Sequence, residues 1–164
     1  MGHTDQKVKG IRNLFGSEPR SLSGVCMFRK ILNLSSKCEG DCIDITSRVR
    51  EAVSKSGIKT GLVHLFVLHS TAALTTIEAE PGVLADLRRS LSVFAPDNIP
   101  YAHDTKWGDG NGRSHVKAAL VGPSITVPVD NGDLLLGTWQ QIVFLELDVN
   151  AGRERTIVCT VTGE

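Results

Sequence analysis

A chain of 164 residues with 41% hydrophobic side chains is long enough for one domain with a self-sufficient core and too apolar for disorder. Its 18 basic and 18 acidic residues cancel to a formal net charge of +0, which leaves no basic excess for non-specific nucleic-acid binding. No apolar run nears the ~20 residues that span a bilayer, and the start lacks a basic stretch followed by an apolar block. A cytoplasmic protein without nucleic-acid or membrane partners is expected.

Residues 1–20 have no clear period and are punctuated by Gly2, Gly10, Gly16 and Pro19, so they read as an N-terminal arm, with a single domain over 21–164. Residues 24–35 favour a strand, and Cys38-Glu-Gly-Asp-Cys42 a turn. Thr46 is placed to cap a helix from Ser47 to Lys55 with Val49, Ala52 and Val53 on its inner side, stopped by Gly57. The run Gly61–Leu68 is almost wholly apolar, which predicts a central strand buried on both faces. Pro81-Gly82 opens a helix to Phe94 with an apolar stripe of Val83, Leu84, Leu87, Leu91 and Phe94, while Asp86, Arg88 and Arg89 face solvent.

Pro96 and Pro100 enforce a loop that leads through Tyr101-Ala-His103-Asp104 to a glycine-rich segment. Ser114 is a candidate cap for a short helix from His115 to Val121, stopped by Gly122. Residues 124–129 read as a near-edge strand because of Pro128, and Asn131-Gly132 as a tight turn. Two long strands over 134–148 and 155–162 are expected to form a hairpin. Strands, then helices, then strands give an α+β fold: one compact domain with a large mixed or antiparallel sheet and two to three helices. The four cysteines read as reduced structural thiols, with a Cys38–Cys42 pair as the alternative.

The segment Asp109-Gly-Asn-Gly-Arg-Ser-His-Val-Lys117 packs six polar side chains into nine positions, with two glycines to let the backbone curl around a small polar group. His69, His103 and His115 each flank such a polar cluster. Three neutral imidazoles can hold a divalent metal, Mg or Zn, and leave a position open, or each can bond its own neighbouring loop. His64 sits mid-strand and reads as a satisfied core or interface residue. Ser70, Thr71, Thr75 and Thr76 bring four hydroxyls within seven residues, suited to a phosphate at the start of a turn or to ordinary capping. Arg153 and Arg155 flank the last turn, where two guanidiniums can grip a diphosphate or simply face solvent. Glu78 is a candidate general base or metal ligand. Glu146 and Asp148 share a face of an otherwise apolar strand. They need a partner there, because an unpaired buried charge is costly: they can line a polar pocket, coordinate a cation, or pair with Arg153 or Arg155. Trp139 and Gln140 offer a stacking face and an amide for a heterocyclic ring, or Trp139 serves as a core or subunit-contact residue.

His69-Ser-Thr-Ala-Ala-Leu-Thr, then Glu78, then Asp109-Gly-Asn-Gly with His115-Val-Lys-Ala, then Leu136-Gly-Thr-Trp-Gln140 occur in an order that resembles the YjbQ family. The resemblance covers roughly residues 22–163. Members are described as secondary thiamine-phosphate synthases. The resemblance implies a compact α+β domain assembled as a homotrimer, with the site near subunit contacts and a small phosphorylated metabolite as substrate. It points to His69, His115, Glu78 and Asp109 as catalytic and His69, His103 and His115 as metal ligands. Ser70, Thr71, Asn111, Gly112, Trp139, Gln140, Arg153 and Arg155 would then bind substrate. Position 77 departs from the family pattern in being Ile, position 113 in being Arg, and the turn Asp148–Arg155 is longer than usual. The activity implied joins hydroxymethylpyrimidine diphosphate to thiazole phosphate and releases pyrophosphate. A metal-dependent hydrolase or phosphatase, or a non-catalytic trimeric module that binds a metabolite or metal, would use the same polar residues.

Overall fold

The structure is a computed structural model and describes residues 20–22, 24–150 and 152–164. The arm expected over 1–20 therefore lies outside the described residues, apart from Arg20, which opens the first strand. In chain order the elements are β1 (Arg20–Leu22), β2 (Val25–Ser35), β3 (Cys42–Asp44), α1 (Thr46–Ser56), β4 (Gly61–Val67) and β5 (Ala72–Ile77). There follow α2 (Pro81–Phe94), α3 (Ala102–Trp107), α4 (Gly112–Val121), β6 (Ser124–Asp130), β7 (Asp133–Leu134), β8 (Gln141–Glu146) and β9 (Glu154–Gly163). This is the α+β domain expected, with four described helices in place of the two to three expected, the short α3 being the addition.

The strands form two antiparallel sheets, a larger one ordered β1-β2-β9-β4-β6-β7 and a smaller one ordered β3-β8-β5. The inner face of the larger sheet presents Leu32, Val63, Leu65, Val127, Ile157 and Val161 toward Leu74, Ile142 and Phe144 of the smaller one, and α1 adds Val49, Ala52 and Val53. The other face of the smaller sheet, with Ala73, Val143 and Leu145, is covered by Leu91 of α2 and Ala118 of α4. Strand β8 is thus buried on both faces, which is why it reads as a continuous apolar run.

Gly57 ends α1 in the left-handed conformation, φ 73°, as the sequence predicts. Several expectations are corrected. Thr46 lies inside α1 and accepts from the Ile142 amide at 2.8 Å, while Asp44 accepts from the Thr46 amide. Strand β4 is central but one of its faces is open: Leu62 is 48% and Phe66 41% exposed, beside His64, whose Nδ1 meets the Thr126 hydroxyl. The hydroxyl-rich stretch after Thr71 is strand β5, because threonine suits a pleated backbone as well as a turn.

The expected C-terminal hairpin does not form. Strand β8 pairs with β3 and β5, and β9 with β2 and β4, so the turn after β8 carries the chain from one sheet to the other. Residues 135–140 break the long strand expected over 134–148, since the Gln140 side chain accepts from the Gly137 amide and closes a turn. Helix α2 buries only Leu91, and Phe94 at its end is 73% exposed, because the three-stranded sheet covers less than the stripe offers. Its cap is Glu80, whose carboxylate accepts from the amides of Gly82 and Val83. All four cysteines are free. Burial pushes the Cys159 thiol up to about 12 and also raises that of Cys42, so neither is a ready thiolate. No described helix is long and apolar enough to cross a membrane.

Candidate functional site

Two polar clusters flank the turn that follows β8. The first fills the end of the space between the sheets. Even-numbered residues of β8 point into that space, so the pattern that buries Ile142 and Phe144 also drives Glu146 inward, to 0% exposure. Odd-numbered residues of β9 point at it from the other sheet, and Arg155 is 3% exposed. They meet as a two-pronged pair, Arg155 Nε to Glu146 Oε2 at 2.7 Å and Nη2 to Oε1 at 2.6 Å. Ser36 donates its hydroxyl to Glu146 at 2.6 Å, and the Asp148 amide donates at 2.9 Å. Thr71 donates to Asp148 at 3.0 Å and takes an Arg155 donor at 3.3 Å. Burial pushes the Asp148 carboxyl up, but bonds from the Asn150 amide and side chain, the Thr71 hydroxyl and the Arg153 charge outweigh it and hold Asp148 at about 2.

His69 lies beside this cluster, and its Nε2 accepts the Thr156 amide at 3.1 Å. A nitrogen that accepts carries no proton, so neutral His69 holds its proton on Nδ1. Burial first, then the Arg155 charge, keeps its pKa below the ordinary histidine value. A folded-state pKa below the unfolded one adds stability that is complete above about pH 6.5 and is lost as pH falls through the folded value. NMR titration is expected to place the His69 midpoint below that of an exposed histidine, with Nδ1 protonated. A midpoint above it would overturn this assignment.

The second cluster is built on α3 and the glycine-rich loop. His103 Nε2 lies 3.3 Å from the Asp109 carboxylate. Asp109 accepts the Asn111 amide at 3.1 Å, and that bond leads the lowering of its pKa, with His103 contributing further. Asp104 accepts the Gly112 amide at 2.8 Å, which ties α3 to the start of α4. The His103 and His115 rings are 4.5 Å apart between centroids, tilted by 58°. The two clusters join through the Asn111 side chain, which accepts the Val149 amide at 3.1 Å.

Among the described residues, the group able to hold a metal is His103, Asp104 and Asp109, whose ligand atoms all lie within 4.8 Å of one another. One imidazole nitrogen and two carboxylate oxygens suit a divalent ion such as Mg or Zn. Within one chain this group differs from the expected set of three histidines: His115 stands beside it, and His69 accepts the Thr156 amide at Nε2. Asp104 was not singled out by the sequence, although its place next to His103 and five residues before Asp109 was the available signal.

Other expectations shift in role. Arg155 spends its donors on Glu146 and Thr71, which leaves Arg153, 47% exposed and 3.6 Å from Asp148, as the arginine that can reach a ligand. Asn111 and Gly112 hold the loop rather than offering free groups. Ser114 does not cap α4. It is fully buried within the helix, with its hydroxyl unpartnered among the described residues. Glu78 follows β5 at the end away from Thr71, and the six residues of that strand separate the two by roughly 20 Å. Ser70 is exposed, Trp139 is 70% exposed, and the Gln140 amide closes its own turn.

The family model described as UPF0047 protein YjbQ-like matches residues 30–164. A UPF0047 protein of Methanothermobacter thermautotrophicus is 39% identical over 138 residues, covering 84% of this chain and 94% of that protein. The UPF0047 protein YjbQ of Salmonella typhimurium is 37% identical over 139 residues, covering 84% and 99%. A crystal structure from Sulfolobus solfataricus, described as a YbjQ-like protein of unknown function, superposes with a TM-score of 0.78 at 33% identity, covering 85% of this chain and 99% of that one. The motifs, the two-sheet fold and these similarities agree: the chain belongs to the YjbQ/UPF0047 family.

Proposed function

We propose that this protein is an enzyme acting on a small phosphorylated metabolite, and that its reaction is of the thiamine-phosphate synthase type. The observation that carries the reading is the convergence of His103, Asp104 and Asp109, with the His115 ring alongside, on α3, the glycine-rich loop and the first turns of α4. In that reaction the bond between the pyrimidine methylene and its diphosphate breaks, the thiazole nitrogen bonds to the methylene carbon, and pyrophosphate leaves with the electron pair. Such chemistry needs positive charge on the leaving group more than a protein nucleophile. A divalent metal held by His103, Asp104 and Asp109 would supply that charge.

The chain's own groups divide the remaining work. Arg153 reaches outward from the cluster around Asp148 and can steer a phosphate. His69, neutral with Nδ1 protonated, donates a hydrogen bond without demanding a charge. Trp139 offers an exposed aromatic face for a heterocycle. Copies of the chain assemble as a homotrimer in this reading, supported by the apolar Leu62 and Phe66 on the open face of β4. Glu78, remote from Thr71 within one chain, would then join the site from a second copy.

The test supplies both substrates and magnesium to protein purified from a host lacking its own synthase. His103→Ala runs alongside. Thiamine phosphate is expected with the wild type and a loss of at least ~100-fold with the variant. Phosphate released from one substrate alone would favour a hydrolase. Thermal stabilisation by the substrates without any product would favour a binding module. Light scattering on the same preparation is expected to give three times the chain mass, and a monomer would remove the role given to the second copy.

A further inference from the structure

The face of α4 opposite His115 carries a second concave feature. Lys117 lies two positions on, about 200° around the helix. There α2, α4 and the turn before β3 enclose a cleft of about 200 Å³, whose floor is Leu91 and Leu147. Four charges line or brace one wall. Lys117, its side chain 6% exposed, sits 2.9 Å from Asp97 and 3.7 Å from Glu39. Arg113 reaches Glu39 at 2.9 Å and Asp97 at 3.1 Å. Two cations and two carboxylates cancel there, and the Glu39 carboxylate holds the Arg113 guanidinium in its charged form.

Arg88 is left over from this balance. Its stem lies against Gly40, it donates to the Gly40 carbonyl at 3.3 Å and to the Cys42 thiol, and among the described residues no carboxylate pairs with it, which leaves the rest of its five N–H donors for a ligand. Ser92, one turn further along α2, also lines the cleft. The cleft therefore has an apolar floor, a neutralised wall, and a positioned guanidinium whose fork is matched by a planar anion. Its volume is near that of an apolar cavity that holds a benzene ring, roughly 150 Å³.

We propose that this cleft binds a small monocarboxylate with a compact apolar body. The carboxylate sits on Arg88 and the Ser92 hydroxyl, and the body lies on Leu91 and Leu147. The site is separate from the histidine cluster and does not depend on the function proposed above.

Calorimetry and thermal shift with benzoate, benzamide and inorganic phosphate test it on the full chain. Benzoate is expected to bind and raise Tm, and benzamide, which keeps the shape without the charge, to bind at least ~tenfold more weakly. Arg88→Gln should weaken benzoate by at least ~tenfold. Arg89→Gln, on the same helix and paired among the described residues with Asp86, should leave binding unchanged, as should His103→Ala. The proposal is overturned if benzoate fails to bind at millimolar concentration or binds Arg88→Gln as well as the wild type. Phosphate binding in place of benzoate would overturn the ligand class, and loss of benzoate binding in His103→Ala would overturn the location.

Discussion

Replacing Glu146 with Ala is expected to lower the unfolding free energy by about 3–5 kcal/mol, the largest effect of any single substitution considered. The reason is what it leaves behind. Arg155 is 4% and Glu146 0% exposed at the side chain, so removing the carboxylate strands a guanidinium between two sheets with no water to hydrate it. Ser36 and the Asp148 amide lose their acceptor in the same step. Among the described residues Asp148 is the other carboxylate paired with Arg155, at 3.4 Å, and it already serves Thr71 and Asn150. Glu146→Leu with Arg155→Met should cost less than the sum of the two single changes, because an apolar pair of similar volume leaves nothing stranded. Urea melts of the four proteins measure this. A single-variant loss below about 1 kcal/mol would mean that water reaches Arg155 and that the sheets are not sealed there. The acid limb carries a second signature. The Asp148 pKa is depressed to about 2, so its contribution is complete above the ordinary carboxylate value near 3.9 and is lost as pH falls toward about 2.

That pair was legible in the chain. A carboxylate on the apolar face of a strand needs a partner, and pairing with Arg153 or Arg155 was one of the three readings open, beside a polar pocket and a coordinated cation. Strand β2 and helix α1 were equally plain, the first from its strand-forming residues and the second from Val49, Ala52 and Val53 with Gly57 behind them. The failures share a cause. Leu62 and Phe66 made β4 look buried on both faces, because a local pattern records that a residue is apolar and not what covers it. Residues 149–154 carry ordinary turn chemistry, and a turn that returns a strand to its own sheet looks the same as one that crosses to another. Helix α3, only six residues long, is too short to show a period. The histidines were found as candidates, but their grouping was not. His69 is diverted by the Thr156 amide, 87 residues away, and such long-range bonds leave no mark on spacing.

Gly112→Ala is expected to cost about 1–3 kcal/mol and to weaken metal binding at the proposed site by at least ~tenfold. A Cβ at Gly112 would stand 2.4 Å from Tyr101 Cβ and 2.8 Å from its Cγ, so one of the two segments must move. Tyr101 cannot yield by a simple rotation. Its hydroxyl is fixed to the Pro96 carbonyl at 2.9 Å, and its own carbonyl accepts the amides of Asp104 and Thr105 at the start of α3. Pushing Tyr101 away therefore carries His103 and Asp104 with it, while Asp109 stays with the loop. The Gly112 amide bond to Asp104, at 2.8 Å, stretches in the same motion. Gly108→Ala is the control. Gly108 has φ 66° and open space at its Cβ, so the change adds only left-handed backbone strain of about 1–2 kcal/mol and crowds nothing. Calorimetry with zinc on both variants separates the two effects: loss of affinity in Gly112→Ala alone shows that the donors converge because α3 packs against that glycine. Equal affinity in the two would mean that the loop adapts and that the close approach of Tyr101 to Gly112 does not set the spacing of His103, Asp104 and Asp109.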